Sequence, residues 1–191
     1  HVHLRRQRQM CIRDRLNKNK KIGYSLISIC LIVGLLGTVG YTFEDEVNDL
    51  PTPSVANHVF FADDAIPSNP VALFLDANSK ITWDRSDIFL VIADVDKKER
   101  CESMNQLEIM GAVDECKSSD NEFEALGDDN IEGLEWKVKS DEYYVGIGAI
   151  DEIGQDFTMN VQYEVEISLS ATSYFVLFLI SAIGLGIARI E

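Results

Sequence analysis

The stretch Phe157-Thr158-Met159-Asn160-Val161-Gln162-Tyr163-Glu164-Val165-Glu166-Ile167-Ser168-Leu169-Ser170 alternates apolar and polar residues without a break. Successive side chains of a strand point to opposite faces, so a period of two reads as a strand with one face buried and one in water. Unbroken at about 3.3 Å per residue it reaches roughly 46 Å, longer than most strands. We therefore expect it to bend or to give its last residues to a following helix. Just upstream, Leu134, Trp136 and Val138 alternate with Glu135, Lys137 and Lys139, and Tyr143, Val145, Ile147 and Ala149 share one face of the next run. Gly146 and Gly148 share the other face, where missing side chains point to a bulge or close packing rather than to a ligand cradle. These three consecutive runs predict an antiparallel meander.

Farther upstream, short runs rich in branched and aromatic residues lie at 59–61, 71–75 and 88–93, punctuated by Pro67, Pro70, Asn78 and Asp84. They read as strands, the third buried on both faces. Residues 44–57 are acidic, carry Pro51 and Pro53, and read as a linker, with regular structure starting near His58. Between the strands, residues 99–124 are polar and hold Cys101 and Cys116; we expect a cysteine-tied insertion, with a short helix around 104–110 or an irregular loop. About seven strands separated by turn signals make the fold mainly β, an antiparallel β-sandwich over residues 58–166.

Two uncharged apolar stretches, 22–43 and 167–188, bracket this domain. A helix needs about 20 residues to cross the hydrocarbon core, so both read as transmembrane helices. Lys18, Lys20 and Lys21 in the flank 16–21 precede the first, and Glu44, Asp45 and Glu46 follow it, an asymmetry that puts the N-terminus in the cytoplasm and residues 44–166 outside. Arg189, in the tail 189–191, agrees, and Tyr24, Tyr41 and Tyr174 suit the headgroup level. The first span also reads as a cleaved signal peptide, with a Lys-rich start, an apolar run at 26–36, and Thr38 and Gly40 near a cleavage point; the absence of an A-x-A site favours an uncleaved anchor. Ile29 before Cys30 does not suit lipoprotein processing, so Cys30 reads as a thiol buried in a helix. Gly34, Gly37 and Gly40 in the first span, and Ala182 with Gly186 or Gly184 with Ala188 in the second, are spaced for close helix packing, either as a hairpin or in a self-dimer, or against another membrane protein. Neither span holds an ionisable residue, which leaves a channel or transporter without support.

Arg5-Arg6-Gln7-Arg8-Gln9-Met10-Cys11-Ile12-Arg13-Asp14-Arg15 resembles a translated transposase-type sequencing adapter, so residues 1–15 are read as an assembly scar and their arginines carry no functional weight. The natural start is then expected near Leu16 or in lost upstream sequence, and Glu191 need not be the true C-terminus. Without the scar, 12 basic residues face 31 acidic ones, a net charge of −19 where the whole chain has −15. Residues 44–166 alone hold 30 acidic and 8 basic side chains. Such a surface repels nucleic acid and anionic headgroups, suits a salty exterior, and leaves cations and basic proteins as partners besides the lipid bilayer. In outline, residues 58–170 resemble small extracellular sandwich modules such as pre-peptidase C-terminal domains or GOLD-type luminal domains. No family motif is matched, so the resemblance implies a fold and assigns no site residue.

Chemistry finds little to stand on. Cys101 and Cys116 are expected to form a disulfide in an oxidising exterior; a zinc site would lack further Cys or His ligands. His58 is the only histidine of the outer domain, and a nucleophile system would have to be built on it. Asp128-Asp129-Asn130-Ile131-Glu132-Gly133 imitates the start of a calcium loop, but Lys139 stands where the bidentate glutamate belongs. A looser calcium site on Asp94 and Asp96, or on Asp128 and Asp129, is the remaining metal candidate, and no other cofactor is implied. The expected protein is a non-enzymatic binding, accessory or envelope-structural module held at the cell membrane. Its alternative is a membrane-tethered hydrolase or cation-dependent adhesion domain using surface carboxylates.

Overall fold

The computed structural model describes residues 2–104, 115–151 and 157–189, with backbone alone for 2–17. Among the described residues are two antiparallel four-stranded sheets and three helices, α1 (Val2–Val39), α2 (Val95–Glu102) and α3 (Ala171–Arg189). With helices of 38, 8 and 19 residues, helix and strand are of similar extent, so the fold is mixed rather than mainly β. The chain divides into a helical unit, which also takes in Leu73–Leu75, and a sheet unit, Tyr41–Ala72 with Asp76–Ile167.

In the sheet unit the strands are β1 (Tyr41–Pro51), β2 (Val59–Phe61), β3 (Leu75–Trp83), β4 (Ile88–Asp94), β5 (Ala125–Gly127), β6 (Leu134–Lys137), β7 (Tyr143–Ala149) and β8 (Thr158–Leu169). The first sheet runs β1-β8-β3-β6 and the second β2-β7-β4-β5. The alternating stretch thus forms one strand, β8, and the helix after it starts only at Ala171 rather than at Ile167. Met159 and Val161 of β8, Ile81 and Trp83 of β3, and Leu134 and Trp136 of β6 meet Ile88, Leu90 and Ile92 of β4 in one core between the sheets. Trp83 donates its indole Nε1–H to the Ile88 carbonyl at 3.1 Å, satisfying a buried polar group.

Strand β4 is buried on both faces, as its unbroken apolar run predicts. Its other face, Phe89 and Val91, forms a second core with Val59, Cys101 and Cys116. Gly148 stands opposite Phe89 across the β4–β7 ladder. A Cβ on Gly148 would lie 2.1 Å from Phe89 Cζ, and one on Gly146 2.6 Å from Val59 Cγ2. The two glycines therefore serve close packing.

Several expectations are corrected. Residues 44–57 are not a linker: most of them belong to β1, which pairs with β8 from Tyr41↔Ile167 to Pro51↔Thr158 with a bulge between Val47 and Leu50. Its acidic side chains face water, and its backbone hydrogen bonds go to a strand far along the chain, so local composition concealed it. Residues 71–74 form a turn, and β3 begins at Leu75. The last three strands make no meander, because β7 crosses to the second sheet while β6 and β8 belong to the first. Helix α2 starts before the cysteine-tied insertion expected at 99–124 and runs into it as far as Glu102. Asp94 caps it, accepting from the Lys97 backbone N–H at 2.8 Å, and Asp96 in its first turn and Arg100 in its last suit the helix dipole. The helix expected around 104–110 falls largely outside the described residues.

In the helical unit, Lys18–Val39 within α1 and Ala171–Arg189 are long and apolar enough to cross a bilayer by length and composition. At 1.5 Å per residue, 19 residues of α3 reach about 29 Å, close to the hydrocarbon thickness of roughly 30 Å. The helices touch through small residues: a Cβ on Gly23 would lie 2.4 Å from the Gly184 carbonyl oxygen and 2.8 Å from Ala188 Cβ. Of the spacings read from sequence, Gly184 with Ala188 faces the neighbour. Gly34 and Gly186 meet nothing within 4 Å. Cys30 is a free, buried thiol. Gly40, at φ +70°, ends α1, with its N–H donating to the Leu36 carbonyl.

Candidate functional site

The outer face of the first sheet follows from the same alternation that fills the core. Glu44 and Glu46 of β1 stand opposite Glu164 and Gln162 of β8, and Thr42 stands opposite Glu166. Directly opposed like charges destabilise an antiparallel pair, so Glu44 and Glu164 are not there for the ladder. Lys80 of β3 lies in the same shallow depression as Glu44, Glu46 and Glu164, and pairs with Glu135 of β6 at 3.5 Å. A neighbouring depression is lined by Asn78, Lys137, Glu164 and Glu166. At the end of this face the β1 bulge is fixed: Asp49, at φ 58°, donates its N–H to Asn160 Oδ1, while Asn160 donates from its backbone and from Nδ2 to Asp84. The result is a wide, open, carboxylate-rich surface with a few lysines set in it.

On the far side of the second sheet the chemistry is enclosed. Lys97, with a side chain only 2% exposed, places Nζ 2.6 Å from Asp120 Oδ2 and 3.1 Å from Glu122 Oε2. Burial pulls the Lys97 pKa down, but hydrogen bonds to Asp120 and Glu122 and their charges outweigh it, and the net shift is upward. For Asp120 burial pushes upward, while the Lys97 bond and the N–H groups of Glu122 and Cys116 carry the carboxyl below its usual range. Arg100 bridges Glu115 and Glu122 on the rim. The Cys101–Cys116 disulfide lies against this cluster, with Cα atoms 5.6 Å apart.

The bridge closes a loop with a sequence separation of 15, which in the chain-entropy model stabilises by about 3 kcal/mol. We expect Cys101→Ser with Cys116→Ser to lower stability by about that amount, read as a shifted urea midpoint of Trp fluorescence in detergent micelles. An unchanged midpoint would show that the buried ion pairs alone hold α2 against the sheet.

The sequence-based metal candidates fall in two places, the start of α2 and the turn before β6. Asp94 is occupied as the α2 cap and Asp96 is exposed in the first turn of that helix. Asp129 accepts from the N–H groups of Ile131 and Glu132, which lower its pKa, and Asp128 is exposed beside it. Gly133, at φ +77°, closes that turn and strand β6 follows at once. Among the described residues no group of three or more His, Cys, Asp or Glu side chains is placed to hold a metal ion. His58 is buried edge-on to the Phe60 ring at 5.1 Å, and burial lowers its pKa. No protein-family model, curated protein or solved structure matches this chain. Sequence reasoning found the cysteine pair but missed Lys97 and Asp120, whose only advance signal is a lysine four residues before Cys101, on the same helix face.

Proposed function

We propose that the protein is a membrane-anchored β-sandwich whose acidic domain works outside the cytoplasm as a binding or accessory module in the cell envelope. The observation that carries this reading is the pair of helices in contact with each other whose remaining surfaces are apolar and exposed over bilayer length, including Leu31, Leu35, Phe175 and Phe178. Water would penalise that much contiguous apolar surface; lipid would not. The basic flank Lys18, Lys20 and Lys21 against the acidic residues after Gly40 supports an N-in orientation with both helices ending in the cytoplasm. The open carboxylate face on β1 and β8 favours contact with a basic protein surface over catalysis, because its carboxylates spread over a sheet rather than converge in a cleft.

The test uses the full chain with Cys11 and Cys30 replaced by alanine. It is expected to remain with membranes through an alkaline carbonate wash. A thiol at Glu135→Cys should react with an impermeant maleimide in intact cells, and one at Lys18→Cys should react only after lysis. Release by carbonate, or the reverse labelling pattern, would overturn the proposal. A saturable, stoichiometric rise in melting temperature with calcium at constant ionic strength would favour cation-dependent adhesion instead.

A further inference from the structure

The residues that sequence reads as a strand at 71–75 end in an apolar turn that is held, not buried. Leu73 is 63% exposed and Phe74 45% exposed, although both belong to the compact helical unit. Their carbonyls are fixed by the start of α3. Ser170 donates its N–H to the Phe74 oxygen at 2.9 Å and its Oγ–H to the Leu73 oxygen at 2.7 Å, and Ser173 donates its Oγ–H to the Phe74 oxygen at 2.6 Å. Ser170 also caps α3, accepting at Oγ from the Ser173 N–H. The other helix ends at the same level, since a Cβ on Gly37 would strike the Leu169 side chain at 2.0 Å.

We propose that Leu73 and Phe74 form a third membrane contact, a loop tip inserted among lipid chains at the outer rim of the helix pair. This rests on the membrane-anchor reading above. Three observations combine. Two large apolar side chains are exposed on a loop whose Phe74 carbonyl is bonded to Ser170 and Ser173 at the start of α3, the helix whose next residues include exposed Phe175 and Phe178, which need lipid in any case. The two carbonyls of the tip are already paired, and paired backbone is what low-water surroundings demand. Tyr174, partly exposed in the first turn of α3, has the amphipathic ring that favours the headgroup level. The loop would hold the helix end at a fixed depth, as interfacial anchors do.

The experiment places a nitroxide on Leu73→Cys in the full chain, with Cys11 and Cys30 replaced by alanine, in phosphatidylcholine nanodiscs. Oxygen partitions into lipid and a nickel chelate into water. The ratio of their collisions with the Leu73 label is expected to be several-fold above that at a Glu135→Cys label and below that at a Phe178→Cys label. A water-like Leu73 label beside a lipid-like Phe178 label overturns the loop insertion and leaves the anchor reading standing. Water-like labels at both positions overturn both. Exclusion of both reagents with dipolar broadening between labels would show a second copy covering the tip, and would also overturn the proposal. Leu73 is 63% exposed, so its substitution empties little packed space; matching circular dichroism of the three labelled proteins checks that each is folded.

Discussion

Lys97→Met is expected to lower the stability of the sheet unit by about 3–5 kcal/mol, the cost of breaking a buried ion pair by removing one partner. The size follows from what is left behind. Asp120, with a side chain 6% exposed, faces Lys97 at 2.6 Å, and among the described residues its carboxylate keeps the N–H groups of Cys116 and Glu122 once the ammonium is gone. Glu122 is 65% exposed and can turn to water, so its share of the loss is small. Adding Asp120→Asn to Lys97→Met removes the orphaned charge and should recover part of the stability, which a mere cavity left by the lysine stem would not allow. Urea unfolding of the detergent-solubilised chain, followed by Trp83 and Trp136 fluorescence, measures both variants.

The same cluster sets a pH window. The Asp120 pKa is lowered in the folded protein, so its contribution is present above the ordinary carboxyl value of 3.8 and is lost as pH falls through the folded value. The Lys97 pKa is raised, so its contribution is complete below the ordinary 10.5 and is lost as pH rises through the folded value. Between those limits the ion pair gives a plateau. Lys97→Met should flatten the alkaline fall of the stability profile.

How far this arrangement was legible in the sequence depends on whether its partners were local. Phe157 to Ser170, Ile88 to Ala93 and the runs of β6 and β7 announced themselves because burial repeats every second residue within each run. Strand β3 did not, since its inward positions include the small Ala77 and Ser79, which carry little hydrophobic signal. Strand β1 looked like a linker because Glu44, Asp45 and Glu46 stand together and its one partner lies over a hundred residues away. The crossing of β7 between β6 and β8 is a matter of which sheet each strand joins, and alternation says nothing about that. At the sites, the cysteine pair and the packing glycines could be read directly. The buried lysine could not: Lys97 is ordinary in an acidic stretch until Asp120 and Glu122 fold over it. Leu73 and Phe74 misled for the opposite reason, because apolar residues at a helix end satisfy a strand pattern while remaining exposed.

Phe89→Ala is expected to destabilise by about 3–5 kcal/mol, the usual loss on emptying a fully buried phenylalanine site. Phe89 is 0% exposed and lies in the core under the disulfide with Val59 and Val91. The more discriminating measurement pairs it with Gly148. In the wild-type chain Gly148→Ala puts a methyl 2.1 Å from Phe89 Cζ and 2.3 Å from Cε1. A ring enclosed on this side cannot swing away cheaply, so overpacking should cost about 1–3 kcal/mol or more. Once Phe89 is alanine, the same methyl enters vacated space and replaces a glycine, which is unfavourable in a strand by roughly 0.5–1 kcal/mol relative to alanine. The second substitution should therefore become neutral or stabilising in that background. The double-mutant cycle is expected to give a coupling of about 1–3 kcal/mol, with the double variant more stable than the sum of the single losses requires. Additive losses would mean that the ring does not cover Gly148, and that the glycine is required by the β7 backbone instead.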